Sequence, residues 1–229
     1  VGQWQAVVRG FLDHLDLDLP SVAAAIDEVR ARLAVEIHMD FERLTGGLRR
    51  PVEVVAYFLA MLELFKKYGD RYELDYLLVA AQAYQESGLD QSKRSHMGAV
   101  GVMQILPSTA SDKAVGIPDI EKLESNIHAG IKYNRWMIDT YYNEPGLTPL
   151  NRGLFAFASY NAGPAKVAGL RREAAAQGLD PDRWFNNVEL IAAKRIGRET
   201  VTYVANIYKY YLAYQMMVQQ REAREQAKT

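Results

Sequence analysis

The sequence contains no cysteine and has almost no imbalance of charge. Its 229 residues include 27 Lys and Arg against 28 Asp and Glu, and 49% of them are apolar. Without cysteine there is no disulfide framework, thiol nucleophile or cysteine-based zinc site. Because nucleic-acid binders normally carry an excess of Lys and Arg, the balanced charge argues against a nucleic-acid partner. The apolar content argues against a disordered chain and suffices for one sizeable core.

Long hydrophobic runs are also absent. The apolar stretch at residues 52–64 is interrupted by Glu53 and Glu63 and falls short of the ~20 residues that a membrane span needs. With no initiator Met, no basic leader and no lipidation cysteine, we expect Val1 to begin a processed or truncated chain. The histidines are scattered and no acidic calcium loop occurs, so neither a metal nor a cofactor is expected. The histidines are His14, His38, His96 and His128.

Helical periodicity dominates the chain and predicts a mainly α fold. The segment at 150–160 is apolar almost all round, which predicts a buried central helix. Asn134 lies in the otherwise apolar stripe formed by Ile127, Ile131 and Ile138. The predicted helices are 21–45, 51–69, 74–87, a short one from Pro107, 126–142, 150–160, 164–177, 188–196 and 199–221.

The polar residues with chemical potential all follow residue 69. We therefore predict three parts. Residues 1–69 form a helical N-terminal extension of unknown role, residues 70–217 form the domain that carries the chemistry, and residues 218–229 form a polar C-terminal tail.

One carboxyl residue stands where a purely structural helix would not need it. Glu86 lies in the last turn of the 74–87 helix, on the same face as Val79 and Gln82. Glu86 projects from a partly apolar surface at a helix C-terminus, where the unsatisfied carbonyls carry partial negative charge that disfavours a carboxylate, so we expect a raised Glu86 pKa. A carboxyl that stays protonated near neutral pH is suited to general acid catalysis. Taken alone, a Glu in this position is ordinarily an exposed surface residue.

Residues 98–107 form a glycine-bearing loop. Gly98 and Gly101 allow a close backbone approach or a positive φ, and the following Val-Met-Gln-Ile run is suited to a short extended piece. Such a loop can form the floor of a cleft. Its glycine spacing is not that of a phosphate loop, so nucleotide binding is not expected. Taken alone, the segment is more simply a connection between helices.

Two further segments place phenols and an amide near helix ends. Tyr160 and Asn161 close the 150–160 helix, and an amide is suited to orienting a sugar hydroxyl or an N-acetyl group. Glu199 and Tyr203 lie one turn apart at the start of the last helix. Tyrosines line sugar clefts, although a tyrosine stripe at helical spacing is more often core. Asn followed by Ala-Gly-Pro is also ordinary helix termination.

Together, four motifs occur in the order found in the soluble lytic transglycosylase catalytic domain, and the resemblance spans about residues 70–217. Residues 86–92, preceded by 65–69, are most similar to the membrane-bound lytic murein transglycosylase F branch. The sequence has Leu89 where many relatives have an aromatic residue and Gln91 where many have proline, so we expect a different cleft wall. The motifs are Glu86-Ser87, Gly98-Ala99-x-Gly101-x-Met103-Gln104, Ser159-Tyr160-Asn161-Ala162-Gly163 and Glu199-Thr200-x-x-Tyr203-Val204.

The resemblance implies a lysozyme-like helical domain with at most a very small sheet. It also implies cleavage of the β-1,4 bond between N-acetylmuramic acid and N-acetylglucosamine in peptidoglycan without water, which leaves a 1,6-anhydromuramyl end. Glu86 would be the single acid and base, assisted by the acetamido group of the substrate. The periplasm or cell envelope, with outer-membrane association in a longer protein, is the implied location.

By the same resemblance, the other motif residues support the reaction. Ser87 and Tyr203 would hold Glu86 or the acetamido group, and Gly98 and Gly101 would shape the loop. The residues implied to line the sugar subsites are Met103, Gln104, Tyr160 and Asn161.

Two alternatives stay open. A hydrolase of the goose-type lysozyme kind would need a second carboxylate, because ordinary retaining glycosidases use two carboxylates about 5 Å apart. Asp90 and Glu199 are the candidates, and the Glu199 carboxylate is better explained by a structural role. A non-catalytic glycan-binding module or a helical scaffold of an envelope assembly would be expected to lack the acid, whereas Glu86 is present.

Overall fold

The computed structural model describes residues 51–226, and these residues are helical with no β-sheet. Their only bridges are isolated ones, between Arg94 and Val100 and between Val100 and Ile105. A kinked helical turn, Trp184–Val188, precedes α7. The helices are α1 (Pro51–Arg71), α2 (Tyr76–Ser87), α3 (Pro107–Ser111), α4 (Leu123–Tyr141), α5 (Pro149–Ala162), α6 (Pro164–Ala176), α7 (Glu189–Arg195) and α8 (Arg198–Gln226).

Helix α2 is the central support of the site, and local signals set both of its ends. Asp75 caps the helix, since its carboxylate accepts a hydrogen bond of 2.9 Å from the Leu77 backbone N–H. Gly88 ends it in the left-handed region at φ 71°. The predicted start at residue 74 is two residues early, because Asp75 is the cap rather than a helical residue. Helix α2 packs against α1 on one side and α8 on the other.

Three apolar clusters fill the interior of the described residues, and the two larger ones involve the central helices. One cluster joins α1 and α2 to the first half of α4 and includes Tyr57, Phe65 and Ile127. The other surrounds α5, in which every residue from Gly153 to Ser159 is buried. The expectation of a buried central helix at 150–160 is therefore confirmed, and α4, α6 and α8 pack around it.

The predicted division at residue 69 lies within a continuous helix. Helix α1 runs to Arg71, and its residues Tyr57, Phe65 and Tyr68 are part of the first cluster. The division itself stays a prediction. Of the predicted tail, residues 218–226 continue α8. The predicted 21–45 helix lies outside the described residues.

No stretch of helix between residues 51 and 226 is both long enough and apolar enough to cross a membrane.

Candidate active site

Glu86 lies at the C-terminal end of α2 and is half-buried. Its Oε1 accepts a hydrogen bond of 2.5 Å from the Tyr203 hydroxyl at the start of α8. Lys93 donates to the Glu86 backbone carbonyl at 2.7 Å, so its ammonium group lies close to the carboxyl without pairing with it directly. The carboxyl is thus held in one place by a neutral donor.

Burial is the main influence on the acidity of this carboxyl. It raises the pKa of Glu86 to about 7, against the opposing effects of the Tyr203 hydrogen bond and the Lys93 charge. The expected direction is confirmed, and desolvation is its first cause. Near neutral pH a carboxyl with this pKa is present in both protonation states, so it can donate a proton and later take one back.

Ser87 fastens the end of α2 to the glycine-bearing loop. Its Oγ lies 2.9 Å from the Val102 carbonyl and 3.2 Å from the Ala83 carbonyl. The same oxygen accepts from the Asp90 backbone N–H at 3.1 Å. Ser87 is therefore buried, and its hydrogen bonds hold the end of α2, which carries Glu86, against the loop.

Two buried amides clamp this loop from the other side. The Gln91 Oε1 accepts from the Val102 N–H at 3.1 Å, and the Asn126 Oδ1 accepts from the Met103 N–H at 2.8 Å. Gly101 adopts φ +74°, and a Cβ there would lie 2.6 Å from the amide groups of Gln91 and Asn126. The expectation that Gly101 shapes the loop is explained by this close approach.

The remaining predicted loop residues have different surroundings. Gly98 also has a positive φ, but it is exposed and no atom of the described residues would contact a Cβ there. Gln104 donates to the Gly101 carbonyl at 2.8 Å and to that of Lys93 at 3.1 Å. The Met103 side chain is fully buried and packs against Gly130 of α4, so it does not line the cleft as expected. The Met103 backbone carbonyl, however, accepts a hydrogen bond from the Tyr160 hydroxyl.

Tyr160 and Asn161 lie at the end of α5, as expected. The Tyr160 hydroxyl donates to the Met103 carbonyl at 2.8 Å, and the charge of Glu86 contributes to the raised pKa of this phenol, after burial. The exposed Asn161 accepts from the Thr200 hydroxyl at 2.6 Å. The structure thus brings Glu86, Tyr160 and Tyr203 together from three helices.

Neither candidate for a second carboxylate is among the groups that shift the Glu86 pKa. The Asp90 Oδ1 accepts from the backbone and the hydroxyl of Ser92, both at 2.7 Å, which is a local turn. Glu199 is exposed in the first turn of α8. Within residues 51–226, Lys93 is the only charged side chain that contributes to the Glu86 pKa.

A depression of about 400 Å³ adjoins Tyr203. Asn161 forms part of its wall, and Arg198 and Glu199 place one charge of each sign beside it. Such a mixture of amide, hydroxyl and charge is suited to hydroxylated ligands. The other lining residues are Gln85, Thr202 and Tyr203.

The sequence analysis assigned no positioning role to Gln91, Lys93 or Asn126, and no role to Asn134. Asn126 and Asn134 stand on the buried face of α4, where both are at most 1% exposed. A polar residue inside an apolar helical stripe is a signal that was available for Asn134. For Gln91 and Lys93 the loop pattern contains no comparable signal, because their contacts depend on how the loop folds back.

Among the described residues, no three His, Asp or Glu side chains cluster in a way that could hold a metal ion. His128 instead stacks on Tyr68 at a ring distance of 4.2 Å and bonds to the Tyr72 hydroxyl at 2.7 Å.

Residues 63–181, more than half of the chain, match the family described as the transglycosylase SLT domain. The chain belongs to this family. The matched SLT segment contains Glu86, the glycine-bearing loop and Tyr160, while Tyr203 lies beyond it.

Curated relatives agree with the family. A membrane-bound lytic murein transglycosylase F of Desulfosudis oleivorans is 34% identical over 161 residues, covering 65% of this chain and 35% of the relative. One of Marinobacter nauticus is 35% identical over 164 residues, covering 65% and 31%. The chain thus spans about a third of the length of these relatives.

A solved structure shows the same fold. An inactive variant of the lytic transglycosylase Slt from Pseudomonas aeruginosa superposes with a TM-score of 0.55 at 18% identity, covering 91% of this chain and 40% of the other. The SLT domain described here therefore has a lytic transglycosylase fold, which confirms the expected lysozyme-like helical class.

Proposed function

We propose that this chain contains the catalytic domain of a peptidoglycan lytic transglycosylase, with Glu86 as its single acid and base. The observation that carries the proposal is the Glu86 carboxyl, whose pKa burial raises to about 7 and which one phenol holds in place. Membership of the SLT family and similarity to murein transglycosylases support the assignment of substrate.

In the first step, protonated Glu86 donates its proton to the glycosidic oxygen that leaves from C1 of N-acetylmuramic acid. The carbonyl oxygen of the 2-acetamido group of that sugar attacks C1 as the bond breaks. A retaining glycosidase of the ordinary kind would use a second carboxylate about 5 Å away. Asp90 and Glu199 have other surroundings, so a substrate nucleophile is the better match to this site.

In the second step, ionised Glu86 takes the proton of the C6 hydroxyl as O6 attacks C1 and displaces the acetamido oxygen. The product is a 1,6-anhydromuramyl end, and Glu86 returns to its protonated form. Tyr203 stabilises the carboxylate between the two steps, since it donates to Oε1. Glycan sugars would occupy the side of the cleft formed by Tyr160, Asn161 and the depression beside Tyr203.

The proposed location follows from the substrate. Peptidoglycan lies in the cell envelope, and the relatives are named membrane-bound. We therefore propose that the chain acts in the cell envelope, and specifically in the periplasm. We further propose outer-membrane association of the full-length protein.

The experiment that tests the proposal is digestion of purified peptidoglycan followed by mass analysis of the released muropeptides. We expect products lighter by one water than hydrolytic ones. The Glu86→Gln variant should lose roughly 100-fold or more of this activity, the usual range for general acid–base catalysis. Glu173→Gln removes a carboxylate that pairs with Arg195 on the surface and serves as the matched control, with activity near wild type.

Each other outcome has a defined meaning. Hydrated reducing ends would show lysozyme-type hydrolysis in place of transglycosylation. Retained activity in Glu86→Gln would contradict the role of Glu86. Binding of peptidoglycan without release of any product would favour a non-catalytic glycan-binding module.

A further inference from the structure

Two amide side chains occupy positions where the surrounding core is apolar. Gln82 of α2 is 0% exposed and Asn134 of α4 is 1% exposed. The Asn134 Nδ2 donates to the Gln82 Oε1 at 2.6 Å. Among the described residues, no side chain or backbone group donates to the remaining Asn134 oxygen, Oδ1. Burying two amides costs desolvation free energy that an apolar pair of similar shape avoids, so stability alone explains this pair poorly.

The contact between these amides fixes the orientation of Gln82. Its Oε1 is engaged by Asn134, so its Nε2 faces the other way, 3.4 Å from the Tyr203 hydroxyl. This hydroxyl therefore accepts from Gln82 and donates to Glu86. A phenol has one proton, and a donor placed on its oxygen directs that proton towards the remaining acceptor. The four side chains form one chain of donors from Asn134 to Glu86.

We propose that Gln82 and Asn134 are positioning residues that orient the Tyr203 hydroxyl as a donor to Glu86. Neither touches the cleft, and both act through Tyr203. Hydrogen bonds in a series strengthen one another, so the pair favours the ionised carboxyl that must act as a base in the second step. The inference rests on the proposed function only in naming Glu86 as the acid and base.

Other charged and titratable groups also act on Glu86. Lys93 of the following loop opposes the effect of burial, and Glu86 in turn raises the pKa values of Tyr160 in α5 and Tyr203 in α8. These groups are unchanged when Gln82 or Asn134 is replaced. A change in the titration of Glu86 therefore reports on the amide pair.

The test replaces each amide by an apolar residue of similar size, Gln82→Met and Asn134→Leu, alone and together. The first readout is the titration of the Glu86 carboxyl by ¹³C NMR, assigned by its disappearance in Glu86→Gln. Without Gln82 the hydrogen bond from Tyr203 to Glu86 is weakened. The midpoint pH of the Glu86 titration should therefore rise above the wild-type value, which corresponds to a several-fold higher proton affinity of the carboxyl. Asn134→Leu should move it in the same direction and by less, and the double variant should match Gln82→Met.

The second readout is the pH dependence of muropeptide release. Because the protonated carboxyl is the active acid, wild-type kcat/KM should fall as the pH rises through the Glu86 pKa. In Gln82→Met that fall should occur at higher pH, with KM unchanged. In a Tyr203→Phe background, Gln82→Met should have no further effect on either readout.

Tyr142→Phe is the control, because it removes another buried hydroxyl, one bonded to Ser159, and it should leave both readouts at wild-type values. An unchanged midpoint in folded Gln82→Met would overturn the proposal and assign the pair a structural role only. An equal shift in Tyr142→Phe, or a further shift in the Tyr203→Phe background, would also overturn it.

If Gln82→Met does not fold, Asn134→Leu alone decides, since it leaves Gln82 in place. Absence of enzymatic activity in the wild type would count against the proposed function, while the NMR midpoints would still decide the role of the amides.

Discussion

The half-buried carboxyl of Glu86 makes the stability of the folded chain depend on pH. Its pKa in the folded state is about 7, against an ordinary value of 4.5. A raised folded-state pKa means that the folded chain binds this proton more tightly than the unfolded chain. The contribution is fully present below pH 4.5 and is lost as the pH rises through 7. Its full size is roughly 3 kcal/mol, at 1.36 kcal/mol for each unit of pKa.

We therefore expect the neutral variant Glu86→Gln to be more stable than wild type at pH 8, by up to roughly 3 kcal/mol, because it buries no charge. At pH 4 the two proteins should have similar free energies of unfolding. Urea denaturation at both pH values measures the difference. Equal stabilities at pH 8 would show that Glu86 is solvated in the folded state.

Tyr203 illustrates what a single contact contributes at the residue scale. It lies 117 residues from Glu86 in the sequence, and its hydroxyl meets Oε1 because α8 packs along α2. The motif resemblance singled out both residues, and the structure brings them into contact. It contained nothing about Gln82 or Asn134, whose amides are linked only through the packed interior.

At the scale of elements, the loop between α2 and α3 positions the floor of the cleft. Gly101→Ala should destabilise the fold by roughly 2 kcal/mol or more, because the side chain combines a strained positive φ with a clash against Gln91 and Asn126. Gly98→Ala is the matched control. It has a similar φ but open space around it, so strain alone should cost about 1 kcal/mol.

Thermal unfolding of the two variants measures this difference. The activity of the Gly101 variant should also fall. Val102 and Met103 follow Gly101, and their carbonyls accept hydrogen bonds from Ser87 and Tyr160, respectively. Equal losses of stability in the two variants would mean that the Gln91 and Asn126 side chains move to make room for the added methyl group.

Local signals explain which elements were predictable. Pro149 and Gly163 bound α5, and Gly88 ends α2, because these residues have strong intrinsic preferences at helix ends. Helix α4 starts at Leu123, three residues before the expected position. Its N-cap residue makes no side-chain hydrogen bond, so the sequence contained no capping signal for this start. The kinked turn at Trp184–Val188 was also unpredicted, since Asn186 is held there at φ 58°.

At the scale of the whole molecule, α1 packs against the helices that carry the site, and we expect it to unfold together with them. Met61 lies before the segment matched to the family, yet it is 1% exposed in the cluster that α1 shares with α2 and α4. Met61→Ala should lower stability by about 2–5 kcal/mol, as expected for a large side chain removed from a core. The loss should appear in a single cooperative transition that includes the site.

Calorimetry and loss of near-ultraviolet circular dichroism measure whether unfolding is one transition. Asp70→Ala, at an exposed position of the same helix, should change stability by less than about 0.5 kcal/mol. A separate early transition in Met61→Ala would instead support the predicted boundary near residue 69.

Periodicity, capping residues and a motif series are local properties of the chain, so they were enough to predict the helical class, most helix ends between residues 51 and 226, and Glu86 as the candidate acid. The tertiary structure was needed to show that Met103 is buried, that neither Asp90 nor Glu199 is among the groups that shift the Glu86 pKa, and that Gln91 and Asn126 hold the loop. It alone joined Asn134 and Gln82 to Tyr203. These outcomes depend on which side chains meet across packed helices, and burial then sets their hydrogen bonds and the Glu86 pKa.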